Sequence, residues 1–308
     1  MISEHLENFA GLPVREFDPE QRLDAPAESA WRLSISYDEQ EEQKTICDKL
    51  AAFLADLGAK QVEALVIGCW EEAGQGHDSS EIVEALVSGR DRIPNLLALF
   101  LGDITYEESE ISWINQSDIS PLFTAFPKLE VLGIRGGNGL SLGRPRHNAL
   151  RQLSIQSGGL PASVVREVGT AQLPALEHLE LWLGDDGYGN DVTPADLAPI
   201  LSGKLFPRLR YLGLRDDAHA DVTAAALATA PIVAMIETLD LSMGTLGDEG
   251  AEALFKSPSI KKLKKLDLHR HYLSNAMMDK LRKLGPTVDV EDQQTPENES
   301  DRYVEVSE

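Results

Sequence analysis

The chain has 308 residues, and its 51 acidic side chains against 28 lysines and arginines give a formal net charge of −23 at pH 7. This charge argues against a nucleic-acid-binding surface, because contacts with phosphate groups require clustered lysine and arginine. Hydrophobic residues make up 42% of the chain, which is typical of a globular protein. The longest apolar stretch, residues 224–236, is well below the roughly 18 to 20 residues that a membrane span requires.

The first 29 residues carry apolar side chains without any regular spacing. Residues 1–18 have neither a basic start nor a continuous apolar region, so we expect no secretory signal. Residues 1–29 are predicted to form an N-terminal cap that covers the open end of the fold. The chain's two cysteines, Cys47 and Cys69, are too few for a disulfide framework, and this favours a cytoplasmic protein with reduced thiols.

From residue 30 onwards the sequence repeats. The repeated frame is an apolar residue, two of any type, a second apolar residue, one of any type and a third apolar residue. Nine copies of this frame lie at Ala30/Leu33/Ile35, Val62/Leu65/Ile67, Leu96/Leu99/Leu101, Leu129/Leu132/Ile134, Leu150/Leu153/Ile155, Leu176/Leu179/Leu181, Leu209/Leu212/Leu214, Ile236/Leu239/Leu241 and Leu263/Leu266/Leu268. Their mean spacing of about 29 residues is the period of a leucine-rich repeat.

Each repeat combines two kinds of hydrophobic spacing. The alternation in the frame predicts a short strand, whereas residues 81–87, 195–201 and 249–255 have the spacing of helices. Parallel strands lie closer together than packed helices, so stacked units must curve with the strands on the inner arc. The sequence therefore predicts an α/β solenoid of nine to ten repeats over residues 30–290, with a possible last strand at Val288 and Val290.

Residues 239–254, which include the run Gly247-Asp248-Glu249-Gly250-Ala251, resemble the ribonuclease-inhibitor type of leucine-rich repeat. The resemblance covers about residues 30–290 and extends to uncharacterised bacterial cytosolic proteins of this repeat class. It implies a binding scaffold rather than an enzyme. One departure concerns the asparagine or cysteine that this family usually has three residues after the last strand leucine. Here only Asp38, Asp217 and His271 could imitate that polar ladder.

Motifs for catalysis, cofactors or metals are missing or ambiguous. The chain has no phosphate-binding loop, dinucleotide fingerprint, nucleophile elbow or Cys-x-x-Cys pair. The glycine-rich run at residues 135–139 is interpreted as a turn. His269 and His271 could together bind zinc, but the register turns His269 outward and His271 inward, so their rings should diverge. We predict no catalytic residue, no cofactor and no metal.

The outward strand positions differ between the two halves of the arc. In the N-terminal half they are small or apolar, and residues 103–120 form a segment long enough to cover them. In the C-terminal half they are polar and aromatic, and they are predicted to form a protein-binding surface on four neighbouring strands. Its residues are His178, Glu180, Trp182, Tyr211, Arg215, Asp240, Asp267 and His269. Tryptophan, tyrosine and arginine are the residues that dominate interface hot spots.

Asp240 and Asp267 should lie directly opposite each other on adjacent strands, where like charges destabilise a sheet. Two explanations stay open. Lys265, His269 and Arg215 could neutralise them locally, or a cationic group of a partner could lie there.

The last 18 residues, 291–308, contain seven acidic residues and one arginine, which is typical of a disordered tail. The chain as a whole is predicted to be a non-catalytic scaffold whose acidic concave face binds a basic protein or peptide. A structural subunit acting through the convex helices is one alternative. A small-molecule-binding or enzymatic protein, with a cavity roofed by residues 103–120, is the other.

Overall fold

A computed structural model describes residues 1–71, 73, 76–296, 298 and 301–308. These residues form an open leucine-rich-repeat solenoid, with parallel strands on the concave face and helices on the convex face. The predicted α/β architecture is thus confirmed. Within the described ranges, no helix is both long and apolar enough to cross a bilayer.

The described strands form a single sheet in which neighbours in sequence are also neighbours in the sheet. The strands are β1 (Asn8–Phe9), β2 (Leu12–Glu16), β3 (Ala30–Leu33), β4 (Ala64–Ile67), β5 (Ala98–Leu101), β6 (Val131–Arg135), β7 (Gln152–Gln156), β8 (His178–Gly184), β9 (Tyr211–Asp217), β10 (Thr238–Asp240), β11 (Lys265–Asp267) and β12 (Thr287–Asp289). The pair of β1 and β2 is antiparallel, and the pairs from β2 to β12 are parallel. The register aligns the frames: Leu239 of β10 lies opposite Leu212 and Leu266.

The helices lie between the strands, where the hydrophobic spacing predicts them. They are α1 (Tyr37–Glu41), α2 (Ile46–Ala55), α3 (Ser80–Ser88), α4 (Ser120–Ala125), α5 (Ala162–Val168), α6 (Pro194–Leu201), α7 (Ala220–Leu227), α8 (Asp248–Lys256) and α9 (Asn275–Leu281). Capping boxes fix several starts; Thr45, for example, accepts from the Asp48 backbone at the start of α2 while the Asp48 carboxylate binds the Thr45 backbone. The helical segments predicted at residues 81–87, 195–201 and 249–255 lie in α3, α6 and α8.

The main core lies between the sheet and the helices. The second and third apolar residues of the nine frames are all buried there, and Phe53, Trp70 and Phe206 are among its largest fully buried side chains. Two of the three predicted ladder residues also turn inward. The Asp217 carboxylate accepts hydrogen bonds from the His219 backbone and the Thr223 hydroxyl. Asp38, by contrast, is exposed in the first turn of α1, so its predicted ladder role is wrong.

A second apolar cluster covers the concave face of the first repeats. It is formed by Phe9 together with small and apolar residues of β3 to β5, and Leu6 and Leu12 pack against it. The Phe9 ring meets the Phe100 ring edge-on, with 5.7 Å between centroids. Gly133 of β6 leaves the space into which the Phe100 ring extends. The N-terminal segment therefore covers this half of the arc.

The expectation that residues 103–120 cover the concave face is corrected. Ile111, Ile114 and Ile119 of this segment belong to the main core, and bridges from Asn115 to Asn138 and from Asp118 to Ser141 align it with the next repeat. The segment thus continues the solenoid wall, because the main core there removes its isoleucines from water. It does not roof a concave cavity.

The predicted disorder of the tail does not hold for its described last residues, 301–308. Val304 and Val306 are buried, and the backbone N–H groups of Glu305 and Val306 donate to Asp216. Valines at alternating positions supply apolar contacts that the acidic composition of the tail does not predict. Residues 297, 299 and 300 of the predicted tail lie outside the described residues, and the boundaries at residues 29 and 290 stay predictions.

Candidate binding site on the concave face

Strands β8 to β11 bring all eight predicted residues to neighbouring positions on the concave face. Trp182 lies opposite Arg215, and His178 lies opposite Tyr211. The central row runs Glu180, Gly213, Asp240, Asp267, Asp289 across five strands. The predicted juxtaposition of Asp240 and Asp267 is therefore present.

Tyr211 links two of the carboxylates in this row. Its hydroxyl lies 3.1 Å from Glu180 Oε2 and 2.7 Å from Asp240 Oδ2. The ring lies over Gly213, since a Cβ at that position would lie 3.1 Å from the tyrosine ring and hydroxyl. On its other side, the ring stacks on His178 with centroids 3.9 Å apart. Burial and the two carboxylates raise the pKa of Tyr211, so its hydroxyl stays protonated.

Arg215 is the counter-charge of the same two acids. Its guanidinium lies 3.5 Å from both Glu180 Oε1 and Asp240 Oδ2 and is 5.3 Å above the centroid of the Trp182 ring. The Trp182 indole N–H donates to Glu180 Oε1 at 2.9 Å. Trp182 is only 7% exposed, so it supports Glu180 and Arg215 from below the surface.

Asp267 has two local cationic neighbours. Lys265 Nζ lies 2.6 Å from one carboxylate oxygen, and His269 Nδ1 lies 2.7 Å from the other. Arg215 lies beside Asp240. These three side chains therefore lie where local neutralisation of the aspartate pair requires them. The arrangement neutralises part of the row and leaves Asp289 at its end without an ion pair among those found in the described residues.

Two acids of this row, Glu180 and Asp267, are held in their charged form. Burial by itself raises the pKa of Glu180, but hydrogen bonds from His178 and Trp182 and the Arg215 charge lower it to about 2. The pKa of Asp267 is likewise lowered, because the hydrogen bonds from His269 and Lys265 outweigh its burial. The hydrogen bond to Asp267 raises the pKa of His269. Glu180 and Asp267 therefore carry fixed negative charge at neutral pH.

Asp267, His269 and Asp289 bring three potential metal-ligand atoms within 4.8 Å of one another. The Lys265 ammonium group already binds Asp267, and the His269 ring nitrogen nearest to it is also engaged. A lysine in direct contact competes with a cation for the same oxygen, so the donor set fits an ion-pair network better than a metal centre. His271 is buried elsewhere, between Val290 O and Leu273 N, so the two histidine rings diverge as predicted.

Sequence reasoning missed three residues of this surface. Asp289 extends the acidic row, and the alternation of Val288 and Val290 around it was the signal that could have placed it there. Ser154 donates to Glu180, and Ser242 accepts from Arg215 Nε at 2.9 Å. Both serines occupy outward positions in the repeat frame.

Comparison with proteins of known structure shows that this chain is similar to a bacterial protein. A crystal structure of a Bacteroides fragilis protein is 37% identical, with a TM-score of 0.82 over 90% of this chain and 77% of that chain. An internalin from Listeria monocytogenes is 14% identical, with a TM-score of 0.40 over 77% of this chain and 56% of that chain, and likeness at this level supports no inference. No family model and no curated protein matches the chain.

Proposed function

The chain belongs to the family of this Bacteroides fragilis protein, and we propose that it is a non-catalytic scaffold that binds a protein or peptide through the concave face of its C-terminal repeats. Leucine-rich-repeat solenoids generally offer extended concave surfaces for binding. The proposed contact residues lie on β8 to β12, where the N-terminal segment that covers β3 to β5 does not reach.

The observation that carries this proposal is the row of charged acids. Glu180, Asp240, Asp267 and Asp289 lie on neighbouring strands, and the permanent cations against them are Arg215 and Lys265. The row thus has more carboxylates than permanent cations, and both cations already form ion pairs within it. A partner with lysine or arginine side chains complements this row, and the charge of −23 on the whole chain attracts such a partner from a distance.

The eight residues have different roles in the proposed surface. His178, Tyr211 and His269 are half-exposed and can touch a partner directly. Trp182 is buried, so its part is to hold the Glu180 and Arg215 side chains in place. This division places direct contacts on the half-exposed rings and assigns positioning to the indole, while Glu180, Asp240 and Asp267 are largely buried and act on a partner through their charge.

The repeat type and the location complete the proposal. Asp221 accepts hydrogen bonds from the backbones of Gly247 and Gly250, which ties the start of α8 to the preceding helix. This contact supports assigning the repeats to the ribonuclease-inhibitor type. Both cysteines are free, which supports a cytoplasmic location.

The proposal is tested by removing charge from the acidic row without changing side-chain shape. We expect the double variant Asp240→Asn, Asp267→Asn to bind a basic partner about tenfold more weakly, because complementary charge favours association. The partner is first captured from lysate of the source organism with the wild-type chain and is then titrated against each variant. Binding by the wild-type chain should also weaken as salt is added.

The matched control is Glu177→Gln, Glu237→Gln. It removes the same number of charges at two acids that pair with exposed arginine or lysine side chains just before β8 and β10. This control should keep the wild-type affinity within about twofold, since distant surface charges are screened by salt. Equal affinity of the concave variant and the wild type would reject the proposal and move the binding surface to the convex helices.

A further inference from the structure

The described end of the chain lies in a groove along the carboxyl ends of three strands. The groove is formed by Asp216, Met243 and Arg270, one from each of three successive repeats, and by Gly158; we call it the strand-end groove. Residues 301–308 run through it with a bend at Glu305. They pass the repeats in the reverse order, from Arg270 to Gly158.

Backbone hydrogen bonds fix the tail in the groove. Arg270 donates to the carbonyl oxygens of Tyr303 and Val304. The Glu305 N–H lies 2.9 Å from Met243 O and 3.0 Å from Asp216 Oδ1, and the Val306 N–H lies 2.9 Å from the same Asp216 oxygen. Since these contacts involve the main chain of the tail, they would accept other sequences in the same conformation.

Side chains of the tail alternate between the groove and solvent. Val304 and Val306 are buried, whereas Tyr303 and Glu305 are exposed. Arg302 lies over the Tyr272 ring, with its guanidinium 5.7 Å from the centroid. The tail therefore places an arginine against Tyr272 and buries the valines at the second and fourth positions after it.

The groove has an unusual backbone at the same place in each repeat. Asp216, Met243 and Arg270 have φ of 55°, 70° and 55°, and residues other than glycine adopt this left-handed conformation at a cost of order 1 kcal/mol or more. All three contact the tail directly. Gly158 allows the tail to approach closely, because a Cβ there would collide with the carbonyl oxygen of Ser307.

Asp216 is the least satisfied of these residues. It is fully buried, and its Oδ2 has no hydrogen-bond partner among the described residues. A buried acid with one unpartnered oxygen costs free energy of folding. Its contact with the tail is the interaction for which this cost is tolerated. This combination is unlike Glu180, Asp240 and Asp267 of the acidic row, which are paired with cations.

We infer that the strand-end groove is a peptide-binding site, occupied here by the chain's own tail, which takes a segment of a partner protein with the pattern Arg-x-Val-x-Val in the conformation of the tail. The tail is an intramolecular competitor that the partner must displace. The site is separate from the acidic row: it recognises main chain, two valine side chains and one arginine at the strand ends, whereas the acidic row lies on the sheet.

The test releases the tail within the full-length chain and supplies the same segment as a separate peptide. The variant Val304→Asn, Val306→Asn removes both buried apolar side chains, and Tyr303→Asn is the matched control on the exposed side of the tail. The probe is a synthetic peptide of residues 301–308 with a fluorescent label at its amino end, and binding is read by fluorescence anisotropy.

We expect the double variant to bind the peptide at least tenfold more tightly than the wild type or Tyr303→Asn does, because a tethered tail competes at an effective concentration in the millimolar range. A peptide with asparagine at both valine positions should not bind. The contrary result is a double variant that folds, exchanges its Glu305 and Val306 amides freely and still does not bind the wild-type peptide. This result would overturn the inference and leave the tail as a fixed cap.

A second measurement covers the case in which the double variant does not fold. Excess unlabelled peptide added to the wild-type chain should speed hydrogen exchange at the Glu305 and Val306 amides, because displacement removes their acceptors. Unchanged exchange at millimolar peptide would contradict the inference. A concentration-dependent dimer of the wild type that the double variant lacks would assign the groove to the tail of a second copy and overturn the choice of a foreign partner.

Discussion

Replacing Asp103 with alanine is expected to lower the free energy of unfolding by about 3 to 5 kcal/mol. The Asp103 side chain is fully buried behind β5, with Arg32 at 3.2 Å and Arg135 at 3.5 Å from its oxygens. It also accepts from the Leu6 backbone and lies beside His5. Arg135 is itself buried, so the variant leaves a buried guanidinium without its carboxylate. Urea unfolding followed by circular dichroism measures the loss.

Two further variants separate the buried charge from other effects of the substitution. Glu107→Ala removes an exposed acid from the same segment and should change stability by no more than about 0.5 kcal/mol. The double variant Asp103→Leu, Arg135→Met should lose less than Asp103→Ala alone, since an apolar pair leaves no unpaired charge. A loss below about 1 kcal/mol for Asp103→Ala would show that Arg135 does not depend on this carboxylate.

The sequence predicts the repeat architecture because one local pattern recurs. The leucine frame identifies strands β3 to β11, and the parallel register then follows from aligning one frame with the next, which places Asp240 opposite Asp267. The eight surface residues could be predicted for the same reason. Any outward position between two frame leucines lies on the concave face, whatever the partner strand contains.

The contacts that the sequence does not predict join segments far apart in the chain. Phe9 packs on Phe100, and Val306 packs beside Asp216, although neither segment has the repeat frame. Residues 103–120 have the apolar content expected of a covering segment. Composition therefore could not decide whether they or the N-terminal segment cover the concave face. Burial of Trp182 under Arg215 also depends on side-chain directions that a register alone leaves open.

Proton binding by Asp216 in the folded state is expected to make the free energy of unfolding fall as pH rises above about 4. Burial raises the pKa of Asp216 to about 8, although the backbones of Val306 and Glu305 and the charge of Arg270 oppose the rise. An unfolded chain releases this proton near pH 3.9. Between these values the native state binds a proton that the unfolded state does not, so the contribution of Asp216 falls by up to about 1.4 kcal/mol per pH unit.

Comparison with Asp216→Asn isolates this contribution, because His5 and His269 also have raised pKa values and lose stabilising charge as pH rises. The stability of the wild type relative to Asp216→Asn should fall by about 2 to 3 kcal/mol between pH 5 and pH 7. Guanidinium unfolding at both pH values measures the difference. Asp292→Asn is the control, since Asp292 has the same left-handed backbone but is exposed, and it should follow the wild type at both values. Parallel behaviour of Asp216→Asn and the wild type would mean that Asp216 is ionised in the folded chain throughout this range, with its two backbone hydrogen bonds outweighing burial.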